Sequence, residues 1–249
     1  MTDIAATEVT AAALQLMRAG QWTAALNLLR ACRTDDPDEE RALALAIAEV
    51  AVDQDFAQQT DNGTEALAAI AHLVEDSWDV ELLKLRKDYA TALSGANDRA
   101  AELEERARLL IGQAPDDARR GAVSFYAGVM ADNLLGKPEE AFAHYTTAFE
   151  LGEKTGDDLL VSLALRHLGD HAHTAGDLVL AREHWERSTE LRQKVGHLLG
   201  ALAQQSLLAV LLRDEGDAAC SRALATEVNR WAGQVDLKFI VRETADLMS

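Results

Sequence analysis

Histidine is the residue type in this chain whose spacing points most directly to chemistry. Five of the seven histidines lie close together in sequence, at His167, His171, His173, His184 and His197. His167 and His171 are four residues apart, so both would lie on one face of a helix, where two imidazoles can bind one metal ion. The His-Glu-x-x-His pattern of metalloproteases is absent, because Leu168 follows His167, and no cysteine lies nearby. We therefore predict no metal and no other cofactor. A structural or surface role is favoured over a pH-responsive cluster.

Other arrangements that could support catalysis have simpler structural explanations. Two acidic pairs, at residues 116–117 and 139–140, each open a predicted helix, where the positive end of the helix dipole stabilises carboxylates. The sequence has no glycine-rich phosphate loop and no Gly-x-Ser-x-Gly motif, and neither Cys32 nor Cys220 has a histidine close in sequence. We therefore predict no catalytic residues, and we disfavour an enzyme.

Composition limits the classes of partner. The 249 residues carry 42 acidic and 24 basic side chains, for a formal net charge of −18. Such a surface repels the phosphates of nucleic acids and of anionic membranes, so we predict neither partner. Residues 1–8 have no basic start followed by an apolar stretch, and no uncharged apolar segment reaches the ~18 residues of a membrane span. Together with only two cysteines, near opposite ends of the chain, these features favour the cytoplasm.

Residues 159–174 show the helical periodicity that recurs along the chain. Their apolar stripe consists of Leu160, Leu163, Ala164, Leu165, Leu168 and Ala172. Arg166, Asp170 and His173 are four and three residues apart, so they share a second face of the same helix. Gly176 is placed to end this helix with a positive φ, and Asp177 is placed to accept hydrogen bonds from the first N–H groups of the next helix.

A glycine-centred phrase recurs at a fixed long period, as is typical of stacked helical repeats. Its six anchors, separated by 41, 34, 41, 40 and 40 residues, are Gly20, Asp61, Gly95, Gly136, Gly176 and Gly216. We predict one all-α domain over residues 1–249, with twelve helices in six antiparallel pairs and a thirteenth helix as a C-terminal cap. The pairs span about residues 7–33, 38–74, 79–113, 116–154, 157–195 and 198–232, and the cap spans 236–248.

Two local predictions accompany this scheme. Residues 53–63 are the least regular part of the pattern, because Asp61 stands where the other turns have glycine, and a loose loop is expected there. In the last helix, Phe239, Ile240 and Leu247 are expected to cover the exposed end of the repeat stack, as terminal repeats require.

The fifth pair carries a pattern that resembles the tetratricopeptide repeat. Leu165, the pair Leu168-Gly169, the turn Gly176-Asp177, Ala181 and Trp185 stand at that family's large, Leu-Gly, turn, small and aromatic positions. The resemblance covers nearly the whole chain and is weaker at residues 47–74 and 81–110. The period of about 40 residues exceeds the family's ~34. This longer form is similar to the sensor regions of large bacterial transcription regulators.

The resemblance implies a right-handed α-α superhelix whose first helices line a concave binding groove. It further implies a non-catalytic module that binds a protein or peptide partner, in a regulatory or adaptor role, with self-association as another possibility. The alternative is a small enzyme or small-molecule sensor that uses the same groove as a pocket. The residues expected in the groove are Tyr89, Tyr126, Asn133, Arg166, Asp170, His173 and Arg213.

Overall fold

The computed structural model describes residues 5–71, 73, 77–93, 95 and 99–248, and every regular element in these residues is helical. Thirteen α-helices and one π-helical segment, Ala131–Leu135, occur in this part of the chain, so the predicted all-α fold with thirteen helices is confirmed. Residues 1–4, 74 and 96–98, which the sequence assigned to the N-terminus, the end of the second pair and the third turn, lie outside the described residues. The helices are α1 (Ala6–Arg18), α2 (Trp22–Ala31), α3 (Pro37–Gln58), α4 (Asn62–Ile70), α5 (Trp78–Leu93), α6 (Ala100–Gln113), α7 (Asp117–Met130), α8 (Pro138–Thr155), α9 (Asp158–Thr174), α10 (Leu178–Lys194), α11 (Leu198–Asp214), α12 (Ala218–Gln234) and α13 (Lys238–Ala245).

The helices group into two compact units. Unit 1 is Met1–Ala114 with Met130–Gly136, and unit 2 is Pro115–Val129 with Lys137–Ser249. Within unit 1, α1 and α2 pack on each other and on α3, α3 pairs with α4 and contacts α5, and α5 pairs with α6. Within unit 2, each helix from α8 to α13 packs on the next one along the chain. Each unit is therefore a run of consecutive packed helices, as a helical repeat requires.

The turn after α9 follows the sequence prediction closely. Gly176 has a φ of +84°, a left-handed conformation that is strained for residues with a side chain. The Asp177 carboxylate then accepts a hydrogen bond from the backbone N–H of Leu180 at 3.0 Å, which satisfies one of the free donors at the start of α10. Asp157 caps α9 through Leu160 in the same way.

The predicted loose loop at residues 53–63 is wrong. The helix α3 continues to Gln58, and α4 begins at Asn62, so only three residues join them. Gln59, not Asp61, takes the positive φ of this turn. The buried Asp55 carboxylate holds the turn, because it accepts hydrogen bonds from the backbone N–H groups of Asn62 and Gly63, both at 2.8 Å. The Asp55 side chain on α3 thus stabilises a turn that has no glycine at its positive-φ position.

The C-terminal helix α13 packs on α11 and α12 and is shorter than predicted. Ile240 and Leu247 are buried as expected. Phe239 is 39 % exposed, so its assignment to the covering face is wrong. Leu237, just before the helix, is buried with Ile240 against Val228 instead. Two of the three predicted covering residues are therefore correct, and Leu237 takes the place of Phe239.

Candidate functional site

A polar face on α9 and α11 brings together four of the residues that the sequence placed in the groove. On α9, an Arg166 Nη donates to Asp170 Oδ2 at 2.7 Å, and the two side chains are 31 % and 33 % exposed. Their four-residue spacing on one helix allows this contact. A half-exposed pair of this kind contributes only about 0.3–0.5 kcal/mol to stability, so it costs little to rearrange around a ligand.

His173 connects α9 to α11. Its Nε2 lies 2.9 Å from Oδ2 of Asp214, and Arg213 Nε donates to Oδ1 of the same carboxylate at 2.8 Å. The Arg213 hydrogen bond, followed by the His173 contact, lowers the pKa of Asp214 below the ordinary value for an aspartate. Asp214 is therefore a fixed negative charge that orients a histidine and an arginine on adjacent first helices.

Asp214 was not in the predicted set, although a signal for it was present. It lies 41 residues after His173, which is one repeat period along the chain. Equivalent positions on neighbouring first helices face each other in a stacked repeat, so the period alone could have paired them. We refer below to Arg166, Asp170, His173, Arg213 and Asp214 as the α9–α11 face.

Two predicted groove residues lie in unit 1 and bind each other. Asn133 Nδ2 donates to the Tyr89 hydroxyl at 2.7 Å. Tyr89 is only 5 % exposed, so its ring belongs to the core of unit 1 and offers little surface to a ligand. Asn133 is exposed, in the π-helical segment. The burial of Tyr89 follows from the packing of α5 against α6 and this segment.

Aromatic contacts surround the remaining groove candidate and the two spaced histidines. Tyr126 meets Phe125 edge-on, with ring centroids 5.4 Å apart. His167 stacks on Tyr145 at 4.5 Å, and His171 contacts the same ring at 5.9 Å. Burial, and then the positive charge of Arg166, holds the pKa of His167 well below its usual value. His167 is thus a packed, neutral imidazole in unit 2.

Three further observations bear on the site. Among the described residues, no group of three or more histidine, cysteine or acidic side chains is arranged to hold a metal ion. Within the same residues, none of the helices has the length and apolar character of a membrane span. Cys32 and Cys220 are both free thiols.

One family model matches part of this chain. The family model described as tetratricopeptide repeat matches residues 127–194, which run from α7 to the end of α10. This segment contains the Arg166–Asp170 pair. No curated protein matches the sequence.

Two solved structures are similar to this chain. One is a Signal Transduction ATPase with Numerous Domains (STAND) protein with a tetratricopeptide repeat sensor, from Pyrococcus horikoshii. The match covers 94 % of this chain and 37 % of that one, with a TM-score of 0.53 and 15 % identity. The other is a Rap protein complexed with Competence and Sporulation Factor, with coverages of 96 % and 79 %, a TM-score of 0.60 and 11 % identity. Identities this low show a shared fold only, and this chain spans about a third of the STAND protein's length.

Proposed function

We propose that this tetratricopeptide-repeat protein is a non-catalytic interaction module whose α9–α11 face binds a peptide or a segment of a partner protein. The observation that carries the proposal is the contact between His173 and Asp214, which joins the first helices of two consecutive pairs. A binding surface that crosses two helices needs such fixed polar groups, because pre-organised side chains lose less entropy when a ligand binds.

The chemistry of the face suits a peptide. Arg213 uses its Nε for Asp214, which leaves its Nη groups able to donate to a carbonyl or carboxylate of the ligand. Asp170 and Asp214 can attract basic side chains, in keeping with a chain whose net charge is −18. Tyr126 of unit 2 completes this set. In unit 1, we propose Asn133 as a separate polar contact, and buried Tyr89 would act only through its hydrogen bond with Asn133.

The similar structures support this class of function. The Rap protein is in complex with Competence and Sporulation Factor, and the STAND protein has a tetratricopeptide repeat sensor. We extend to this chain only the idea that such repeats bind a partner, in a regulatory or adaptor role. The two free cysteines favour a reducing compartment, so we propose that the protein works in the cytoplasm.

Capture from native lysate tests the proposal. The wild-type protein, the double variant Arg166→Ala/His173→Ala and the control Arg187→Ala would each be immobilised, and bound proteins identified by mass spectrometry. Arg187 is an exposed arginine on α10 that pairs with Glu153, outside the α9–α11 face. We expect at least one protein that the wild type and the control capture and that the double variant loses. If a folded double variant keeps every captured partner, the assignment of the face is wrong.

Two other outcomes have their own signatures. A small-molecule ligand would appear as a low-molecular-weight compound released from the denatured wild-type protein and absent from the double variant. Self-association would appear in light scattering as a molar mass that rises with protein concentration above the 27.0 kDa of one chain. Either result without a captured protein would contradict the proposed partner class.

A further inference from the structure

A buried arginine beside the α9–α11 face has an Nε without a hydrogen-bond partner. Arg192, on α10, is only 4 % exposed. Its Nε has no hydrogen-bond partner. Burial lowers the pKa of Arg192 to about 9, the nearby charge of Arg166 acts in the same direction, and Asp170 opposes the change. A buried Nε in this state lacks the acceptor that it would have in water.

A buried glutamine on the next helix is in the same condition. Gln204 is 0 % exposed, and neither its Nε2 nor its Oε1 has a partner in the structure. Buried side-chain amides almost always form hydrogen bonds, so two unpaired atoms on one residue are unusual. Together, Arg192 and Gln204 place three unpaired polar atoms inside unit 2.

Gly200 on α11 lies against the Arg192 guanidinium, and Gln204 follows it on the same helix. Nη1 of Arg192 lies so close to Gly200 that a Cβ on residue 200 would overlap it. Gln204 is four residues further along α11, on the same face and about 6 Å along the helix axis. The missing side chain at Gly200 therefore makes the space that the guanidinium occupies next to the His197 imidazole, one helical turn before Gln204.

We propose that Arg192 and Gln204 form an oxyanion-binding site that takes a carboxylate or phosphate group, with Arg166 beside it. The donors of a guanidinium match the paired oxygens of such a group, and the Gln204 amide adds a further donor. A bound oxyanion would supply the acceptor that the Arg192 Nε lacks. The site deepens the proposed function and rests on it only for the source of the oxyanion, which would be an acidic or phosphorylated group of the bound segment.

Thermal unfolding in defined anions tests this site without any partner protein. The wild-type protein would be melted at pH 7.5 in sodium chloride, in sodium acetate and in sodium phosphate, all at one ionic strength, so that general screening is the same throughout. Arg192→Met and Gln204→Met would be compared with Arg187→Met, the exposed control on the same helix. At ten times the dissociation constant of the anion, binding should raise the wild-type Tm by about 3–6 °C.

The results separate cleanly. The site is supported if acetate or phosphate raises the Tm of the wild type and of Arg187→Met but not that of Arg192→Met. The anion that raises the Tm identifies the chemical source. The proposed site is overturned if neither anion raises the Tm of the wild type, or if the Tm of Arg192→Met rises equally. Methionine is chosen because replacing a buried charge with an apolar side chain of similar volume is often tolerated. If Arg192→Met does not fold, Gln204→Met takes its place, and the site is supported if the anion does not raise the Tm of that variant. Because no partner is present, failure here leaves the lysate test of the α9–α11 face unaffected.

Discussion

Gly169 on α9 lies directly against the indole ring of Trp185 on α10, so close that a Cβ on residue 169 would overlap the ring. Trp185 is among the most buried side chains of unit 2, and its Nε1 donates to the backbone carbonyl of Arg166 at 2.9 Å. The helix that carries the α9–α11 face is therefore positioned by a glycine–tryptophan contact and by a hydrogen bond to one of the face's own residues.

Substitution of Gly169 tests this contact. The Gly169→Ala variant should be less stable than wild type by about 1–3 kcal/mol, because an added methyl group overpacks the core against Trp185. This loss should exceed the helix propensity that alanine gains over glycine. Urea unfolding would measure the change. Gly233→Ala on α12 is the control, since a Cβ there meets open space, and it should be neutral or slightly stabilising. Equal effects at both positions would contradict the packing account.

The turn between α3 and α4 gives a second prediction. Asp55→Ala should lower the free energy of unfolding by about 2 kcal/mol, because it leaves the backbone N–H groups of Asn62 and Gly63 without their acceptor. Asp61→Ala, which removes an exposed carboxylate paired with Lys87, should cost much less, because solvent screens an exposed ion pair. Chemical denaturation of both variants compares them. A larger loss in Asp61→Ala would show that Asp61, and not Asp55, holds this turn.

Stability should depend on the protonation of His167. Burial and Arg166 favour its neutral form in the folded protein, and this outweighs the attraction of Asp170, whose Oδ2 lies 3.8 Å from the imidazole. Since the folded pKa lies below the unfolded value, the unfolded chain binds the extra proton first. The stability that neutral His167 contributes is therefore complete above about pH 6.5 and is lost as the pH falls below that value.

The measurement is urea unfolding of wild type and His167→Phe between pH 7.5 and pH 5. We expect the wild type to lose up to about 1.4 kcal/mol per pH unit more than the variant below pH 6.5. Phenylalanine keeps a ring on Tyr145, with which His167 stacks. Burial also lowers the pKa of His184, but His184 is present in both proteins, so the difference reports on His167. Identical pH profiles would show that His167 titrates normally.

Local signals in the sequence predicted much of this architecture. Gly176 ends α9 with a positive φ, and Asp177 caps the start of α10. Both residues act within a few positions of themselves in the sequence. The apolar stripe of α9 likewise predicted the burial of Leu160, Leu165 and Leu168. Features of this kind depend on neighbours along the chain, so periodicity and residue type reveal them.

The features that were missed depend on contacts between helices. Asp55 looks like any acidic residue of a helix until the fold brings Gly63 beside it. Arg192 and Gln204 would be assigned to solvent by residue type, because long polar side chains are seldom fully buried. Their burial follows from the close approach of α10 and α11 at Gly200, which a single sequence does not express.

The affinity of the α9–α11 face for a captured segment is the most direct test of the central claim. Isothermal titration would compare the dissociation constant of that segment, made as a synthetic peptide, for wild type, for Arg166→Ala/His173→Ala and for the control Arg187→Ala. The account predicts a rise of at least tenfold in the double variant, which corresponds to about 1.4 kcal/mol, and no change in the control. An unchanged dissociation constant in a folded double variant would contradict it.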